Sequence, residues 1–166
     1  MLDSLSVLFY LRFPMFIAIS LHILAATIWI GGMFFSYSFL RPVAVDVLAP
    51  PQRLTLWVKV FEKFFNWVWL AIILLIGSGH FMITQSGGLA NVGKHIHIMM
   101  LLGYIMTAIF MHVYFTPFKR LKATVALKDW PNAASNLNVI RKMILINLVL
   151  GLITIFVASA GRYITL

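Results

Sequence analysis

Four stretches of the chain, 13–40, 64–93, 95–118 and 143–161, contain no Asp, Glu, Lys or Arg. Each is long enough to cross the bilayer, which takes about 20 helical residues at about 1.5 Å each. Backbone N–H and C=O groups in lipid must bond within their own segment, so these stretches are expected as helices. Composition agrees: 62% of the 166 residues are hydrophobic and only 10% charged, more apolar surface than a water-soluble domain can hide. The expected fold is all-α, an integral membrane four-helix bundle forming a single transmembrane domain over 1–166. Its helices are expected at about 14–40, 64–85, 93–115 and 141–162. The first stretch is too long, and too directly followed by Gly31-Gly32 and Arg41-Pro42, for a cleaved signal peptide, and reads as an anchor.

Punctuation supports these limits. Pro14 suits a first helical turn. Gly87-Gly88 breaks the chain between the second and third helices, which are therefore expected as antiparallel neighbours. Pro117 stops the third helix, and 117–128 alternates basic and apolar faces as an interfacial helix would. Asp129-Trp130-Pro131 then turns the chain. Trp57, Trp67, Trp69 and Trp130 are placed as an aromatic belt.

The formal net charge is +9, which raises the question of nucleic acid. The distribution excludes it. Arg41, Arg53, Lys59 and Lys63 fall around the first loop; Lys119, Arg120, Lys122, Lys128, Arg141 and Lys142 fall around the third. Only Arg12, Lys94 and Arg162 lie at the other ends. This is the bias of a membrane topology with loops 41–63 and 117–140 in the cytoplasm and both termini periplasmic, as in a bacterial inner membrane. The partner of the basic charge is then the lipid bilayer. The chain has no cysteine, which excludes disulfides, thiolate metal sites and cysteine-linked haem.

Polar groups at membrane depth are costly, so each needs a partner or a role. No acidic residue lies within a span, which sets aside carboxylate proton relays and carboxylate metal sites. Four of the five histidines, His22, His80, His95 and His97, collect toward the expected periplasmic side, and His112 lies near the opposite end. His22 is about 12 Å inside the first helix. At about 100° per residue it shares a face with Ala25, Ala26, Trp29, Met33 and Ser36. His97 shares a face with Leu101, Tyr104, Ala108 and Met111 and is expected to turn inward, while His95 points about 160° away. On the fourth helix Asn147, Gly151, Ala158 and Arg162 form a small, polar stripe suited to the interior.

Two chemistries use such a set. Haem b needs axial imidazoles from facing helices, small neighbours and cations for its propionates. His22 with His97 or His80 would supply the first, and Arg162, Arg12 and Lys94 the last. Four histidines could serve one haem or two. Copper(I) instead selects imidazole with thioether. A metal mouth of His22, His80, His97 and His95, with Met82, Met99 and Met100 nearby, would pass copper inward toward Met33, Met111 and His112. The bland alternatives are hydrogen-bonded core histidines and gap-filling methionines.

The run SLHILAATIWIGGMFFSYSFLRP (20–42), with GKHIHIMMLLGYIM and RKMILINLVLGLITIFVAS, resembles the copper-resistance D (CopD) family. The His then Trp-x-Gly-Gly pattern also resembles the HemJ-type protoporphyrinogen oxidases, four-helix membrane proteins associated with haem b. This chain has RKMILIN where that family carries Asn-Glu-Val-Pro. The resemblance implies a functional His22, with Trp29, Gly31 and Gly32 as a packing motif below it. The leading expectation is a haem-b redox protein passing electrons between a periplasmic partner and quinone. The alternatives are a copper-handling protein and a cofactor-free assembly subunit; each is compatible with homo-oligomers.

Overall fold

A computed structural model describes residues 4–161 and 163, with side chains from residue 13 onward. Among the described residues it is all helical. The elements are α1 (Ser4–Phe35), a π-helical turn (Ser36–Leu40), α2 (Arg41–Val47), α3 (Pro50–Gln85), a 3-10 turn (Leu89–Asn91), α4 (Lys94–Phe115), α5 (Pro117–Ala126) and α6 (Trp130–Ala160). Four helical stretches, Phe13–Val47, Pro50–Gln85, Lys94–Ala126 and Trp130–Ala160, are long and apolar enough to cross a membrane. The protein is a multi-pass membrane protein. Its outer faces carry exposed Phe16, Ile23, Trp67, Ile73, Leu101 and Phe156, side chains suited to lipid.

The helices run well beyond the charge-free stretches. The expected loop 41–63 is almost entirely helical, with only Leu48 and Ala49 between α2 and α3. Likewise 117–140 is α5 followed directly by the start of α6. The reason is that Lys, Arg, Glu and Gln end an apolar run without ending a helix, because they are good helix formers. An apolar run marks the thickness of hydrocarbon. A helix of 36 residues such as α3 is about 54 Å long. Real punctuation sits elsewhere. Pro50-Pro51 opens α3 at the position where a missing N–H costs nothing. Pro14 is inside α1 and does not start it; prolines are tolerated within membrane helices. Gly87 and Gly88 turn the chain at φ of 88° and 92°, a region closed to most side chains. At the far end Lys128 has φ 58°, and the Asp129 carboxylate accepts the Asn132 N–H at 3.3 Å to cap α6.

The bundle is built from two closely packed pairs, α1 with α3 and α4 with α6. The backbones of α3 and α4, consecutive in sequence, approach little and meet mainly through aromatic side chains. Phe65 and Trp69 on α3 contact Phe110 on α4 at centroid distances of 5.4 and 5.2 Å. The expected close antiparallel neighbours are thus held apart by large rings. Small residues mark the tight pairs. A Cβ on Gly32 would run into the Phe64 ring of α3, and one on Gly151 would lie 3.2 Å from Met106 of α4.

The tightest core lies at the end bearing most basic residues, here called the basic end. Trp57, Phe61, Phe65, Val68 and Ile72 form one buried stripe of α3 at helical spacing. Phe61 and Phe65 stack at 5.1 Å and 6°, and Phe118 closes on Phe65 at 4.9 Å, edge to face. α5 is amphipathic as expected: Phe118 and Leu121 are buried, whereas Lys119, Arg120 and Lys122 are exposed. Leu121 seals against α6 near Ala133, Leu137 and Ile140, all buried. The aromatic belt is not realised as expected. Trp57 is 2% exposed and Trp69 packs on α4, so only Trp67 of the α3 tryptophans faces outward.

Candidate functional site

At the opposite end, which carries the Gly87-Gly88 turn, the histidines diverge. His22 sits half-buried at the α1–α3 seam. Its Nδ1 lies 2.8 Å from the Ser78 hydroxyl. That hydroxyl donates its single hydrogen to the Leu74 carbonyl. Toward His22 it must therefore accept, so Nδ1 carries the proton and the Nε2 lone pair is the ring's basic position. This is the tautomer used by a metal-ligating imidazole held by its other nitrogen. The Leu75 carbonyl, 3.5 Å from the same hydroxyl, is a further acceptor for the ring. The ring lies against Gly79 of α3, where a Cβ would make an ordinary contact with it at 3.4 Å.

His80 is exposed and fully engaged. Its Nδ1 donates to the Ile76 carbonyl at 2.8 Å, and its Nε2 accepts the Tyr104 hydroxyl of α4 at 3.0 Å. His97 is also exposed, with Nδ1 3.3 Å from the Gly93 carbonyl. The expected inward turn of His97 is therefore reversed. Leu101, Tyr104 and Met111 on the same face are exposed too. The register of α4 is set by Met106, Phe110 and Val113, its buried residues. Stepping back from them by threes and fours reaches Met99 and His95, not His97. His95 is the half-buried one, and its Cβ would lie 2.4 Å from a Cβ built on Gly161. His112 is exposed at the basic end, as is Met111. Lys94 is exposed at the start of α4. The Arg12 side chain and Arg162 lie outside the described residues.

Each of these histidines finds its own local setting, and they do not converge. Among the described residues no three His, Cys, Asp or Glu side chains are grouped as for a metal ion. Two clefts in the bundle are lined by none of the histidines. One, narrow and partly open, is lined by Trp29, Met33, Phe110, Met143, Ile144 and Asn147, among others. Met33 is 3% exposed and stands where the His22 face of α1 predicts it. Asn147 is 4% exposed; its Nδ2 donates to the Met106 carbonyl at 3.1 Å, but its Oδ1 has no donor. A buried acceptor left unpaired costs about 1–3 kcal/mol, a cost this oxygen bears on the core face of α6. The stripe of α6 is half realised: Asn147 and Gly151 are buried, whereas Ala158 is exposed.

Sequence reading missed Ser78, Tyr104 and Met143. Ser78 and Tyr104 become partners only once the pairing of helices is known. Met143 shares the α6 face of Asn147, four residues on, a signal that spacing alone could have supplied.

A membrane bundle of four spans, with thioethers and an unpaired amide oxygen in its core and no cysteine, defines the class. The sequence profile of copper resistance protein D (CopD) matches residues 58–160, more than half of the chain, and the chain belongs to that family. The matched segment holds His80, His95, His97, Met143 and Asn147, and does not extend to α1 with His22 and Met33. No curated protein and no solved structure matches the chain.

Proposed function

We propose that the protein handles Cu(I) as cargo within the bilayer, in the inner membrane of a bacterium, with the histidine-bearing end outward and the basic end cytoplasmic. The observation that carries this reading is the cleft lined by Met33, Met143 and Asn147, the last with an unpaired, buried Oδ1. Thioether sulfur is soft and selects Cu(I); an amide oxygen aimed at no donor adds a partial negative charge where a cation would rest. In a chain without cysteine, methionine and histidine are the remaining soft and borderline ligands. His22, with Nε2 as its basic nitrogen, is the entry ligand nearest the core on α1. His80, spent on Tyr104, contributes least.

The test is competition between purified protein in detergent and a coloured Cu(I) chelator. Replacing Met33 and Met143 together by Leu keeps the volume and removes both sulfurs. The affinity is expected to fall on the order of tenfold or more. Wild type competing no better than the double variant would sink the proposal.

The haem b reading is favoured by one observation, the Nδ1–H tautomer of His22 beside Gly79, Ala25 and Ala26, which leaves Nε2 as a possible axial donor. An absorption spectrum of the same sample separates the two. A Soret band lost in His22→Ala replaces copper by haem; a colourless protein that binds copper removes the electron-transfer and quinone reading.

A further inference from the structure

The second cleft, half open at the basic end, is lined by Ser36, Tyr37, Arg41, Trp57, Phe61, Arg141 and Ile144. Three of these residues, Arg41, Trp57 and Arg141, carry donor nitrogens and no acceptor. Arg141 is half-buried, and its guanidinium spends Nη1 on the Asn138 side chain at 3.4 Å. Its Nε and Nη2 are buried with no partner. Trp57 is 2% exposed, and its Nε1–H is also buried without an acceptor. Arg41 lies over the Tyr37 ring at 5.1 Å, and Arg141 over the Trp57 ring at 5.9 Å. Arg53 adds its charge to that of Arg41 at Arg141. Among the described residues no carboxylate forms an ion pair with them: Glu62 pairs with Lys122, Asp129 is committed to the cap of α6, and Asp46 on α2 makes no ion pair.

The backbone is adapted to this arrangement. On a regular α-helix Ser36 and Arg41 would stand about 140° apart. The π-helical turn Ser36–Leu40 widens the spiral there, and both residues line the same cleft. A snorkelling arginine would carry its guanidinium out to water. Arg141 instead keeps two nitrogens inside, beside a buried indole N–H, against the repulsion of two further arginines.

Guanidinium and indole nitrogens donate and cannot accept. Buried and unpaired just behind the wall of this cleft, with like charges gathered and no acid paired to them, they are complementary to an oxyanion. The space within takes one oxygen-sized atom. Planar guanidinium groups match phosphate oxygens in pairs. We propose that this cleft binds a phosphate-type oxyanion, one oxygen directed toward the Arg141 and Trp57 nitrogens and the others toward Arg41, with the charge of Arg53 adding to the attraction. The site is independent of the copper reading. Its ligand is a phosphate group, borne by an anionic phospholipid headgroup or free in solution.

The experiment measures thermal unfolding of the delipidated full-length protein in detergent. One arm adds inorganic phosphate, compared with chloride at equal ionic strength. The other adds phosphatidylglycerol, compared with phosphatidylcholine. A ligand that binds the native state raises Tm with concentration. At least one arm is expected to raise Tm in wild type. The effect should be lost in Arg141→Gln and weakened severalfold in Trp57→Phe, which keeps the ring and removes the N–H. It should persist in Lys142→Gln, the same charge change at an exposed neighbour. Stabilisation by phosphatidylglycerol alone assigns the headgroup; stabilisation by inorganic phosphate assigns the free ion. If neither raises Tm, if Arg141→Gln or Trp57→Phe responds like wild type, or if Lys142→Gln loses the effect as fully as Arg141→Gln, the site is refuted.

Discussion

The two ends of the bundle solve the problem of polar groups in a membrane in opposite ways. At the histidine-bearing end three of the histidines are answered by a neighbour: His22 by Ser78, His80 by Ile76 and Tyr104, His97 by Gly93. At the basic end the packing is far tighter, with Phe61, Leu121 and Ile140 at 1% exposure or less. Yet buried nitrogens of Trp57 and Arg141 have no protein partner there. Close packing fixes positions firmly enough to hold an unpaired donor in place; the looser end lets each side chain settle its own bonds. The residues that look most chemical in the sequence therefore need not be the ones held ready for a guest.

Substitutions can break this contrast. Phe61→Ala should have the largest effect on stability, roughly 3 kcal/mol, because the ring stacks between Trp57, Phe65 and Phe118 and leaves a cavity. Reversible unfolding in mixed detergent micelles measures it. A loss no larger than that of a histidine-end substitution would erase the difference in packing. Gly151→Leu comes next, at roughly 1–3 kcal/mol, since the new side chain meets Ile30 and Met106 where α6 crosses α1 and α4. A neutral result in the same assay would show that this crossing gives way.

Smaller effects sharpen the comparison at the other end. Ser78→Ala should cost about 0.6 kcal/mol, typical of a hydrogen bond between membrane helices. It should also free His22 Nδ1, detectable as a change in the imidazole nitrogen resonances. Unmoved resonances would refute the Nδ1–H assignment. Tyr104→Phe should be smaller still, because the bond to His80 is exposed. Hydrogen exchange of the 86–93 turn would reveal it, and a loss as large as that of Phe61→Ala would overturn the account of this end as locally settled.

Much of the fold was legible in the chain. The third helix begins and ends within a residue of the expected limits, since Gly93 and Pro117 punctuate it. The other helices overran their expected limits because charge reports where hydrocarbon stops, and the helix continues on residues such as Lys59, Glu62 and Lys142. The site was legible in part. His22, Met33 and Ser36 share a face of α1 as the 100° step requires, and Met33 and Ser36 are buried. His97 was assigned the wrong face because the pattern of polar residues was followed, whereas Met106, Phe110 and Val113 set the register.

The sequence by itself determined an all-helical, four-span membrane protein, because a long run without charges in lipid has one way to satisfy its backbone. It also determined the amphipathic α5 and the turns at Gly87-Gly88 and Asp129. Only the tertiary structure decided which helices pair, which histidine faces inward, and that the amide oxygen of Asn147 and donors of Trp57 and Arg141 lack partners. Those depend on contacts between residues about 40 to 120 positions apart, set by ring size and small-residue crossings such as Phe65 with Phe110 and Gly151 with Ile30. Periodicity along one helix carries no information about the rotation of its neighbour.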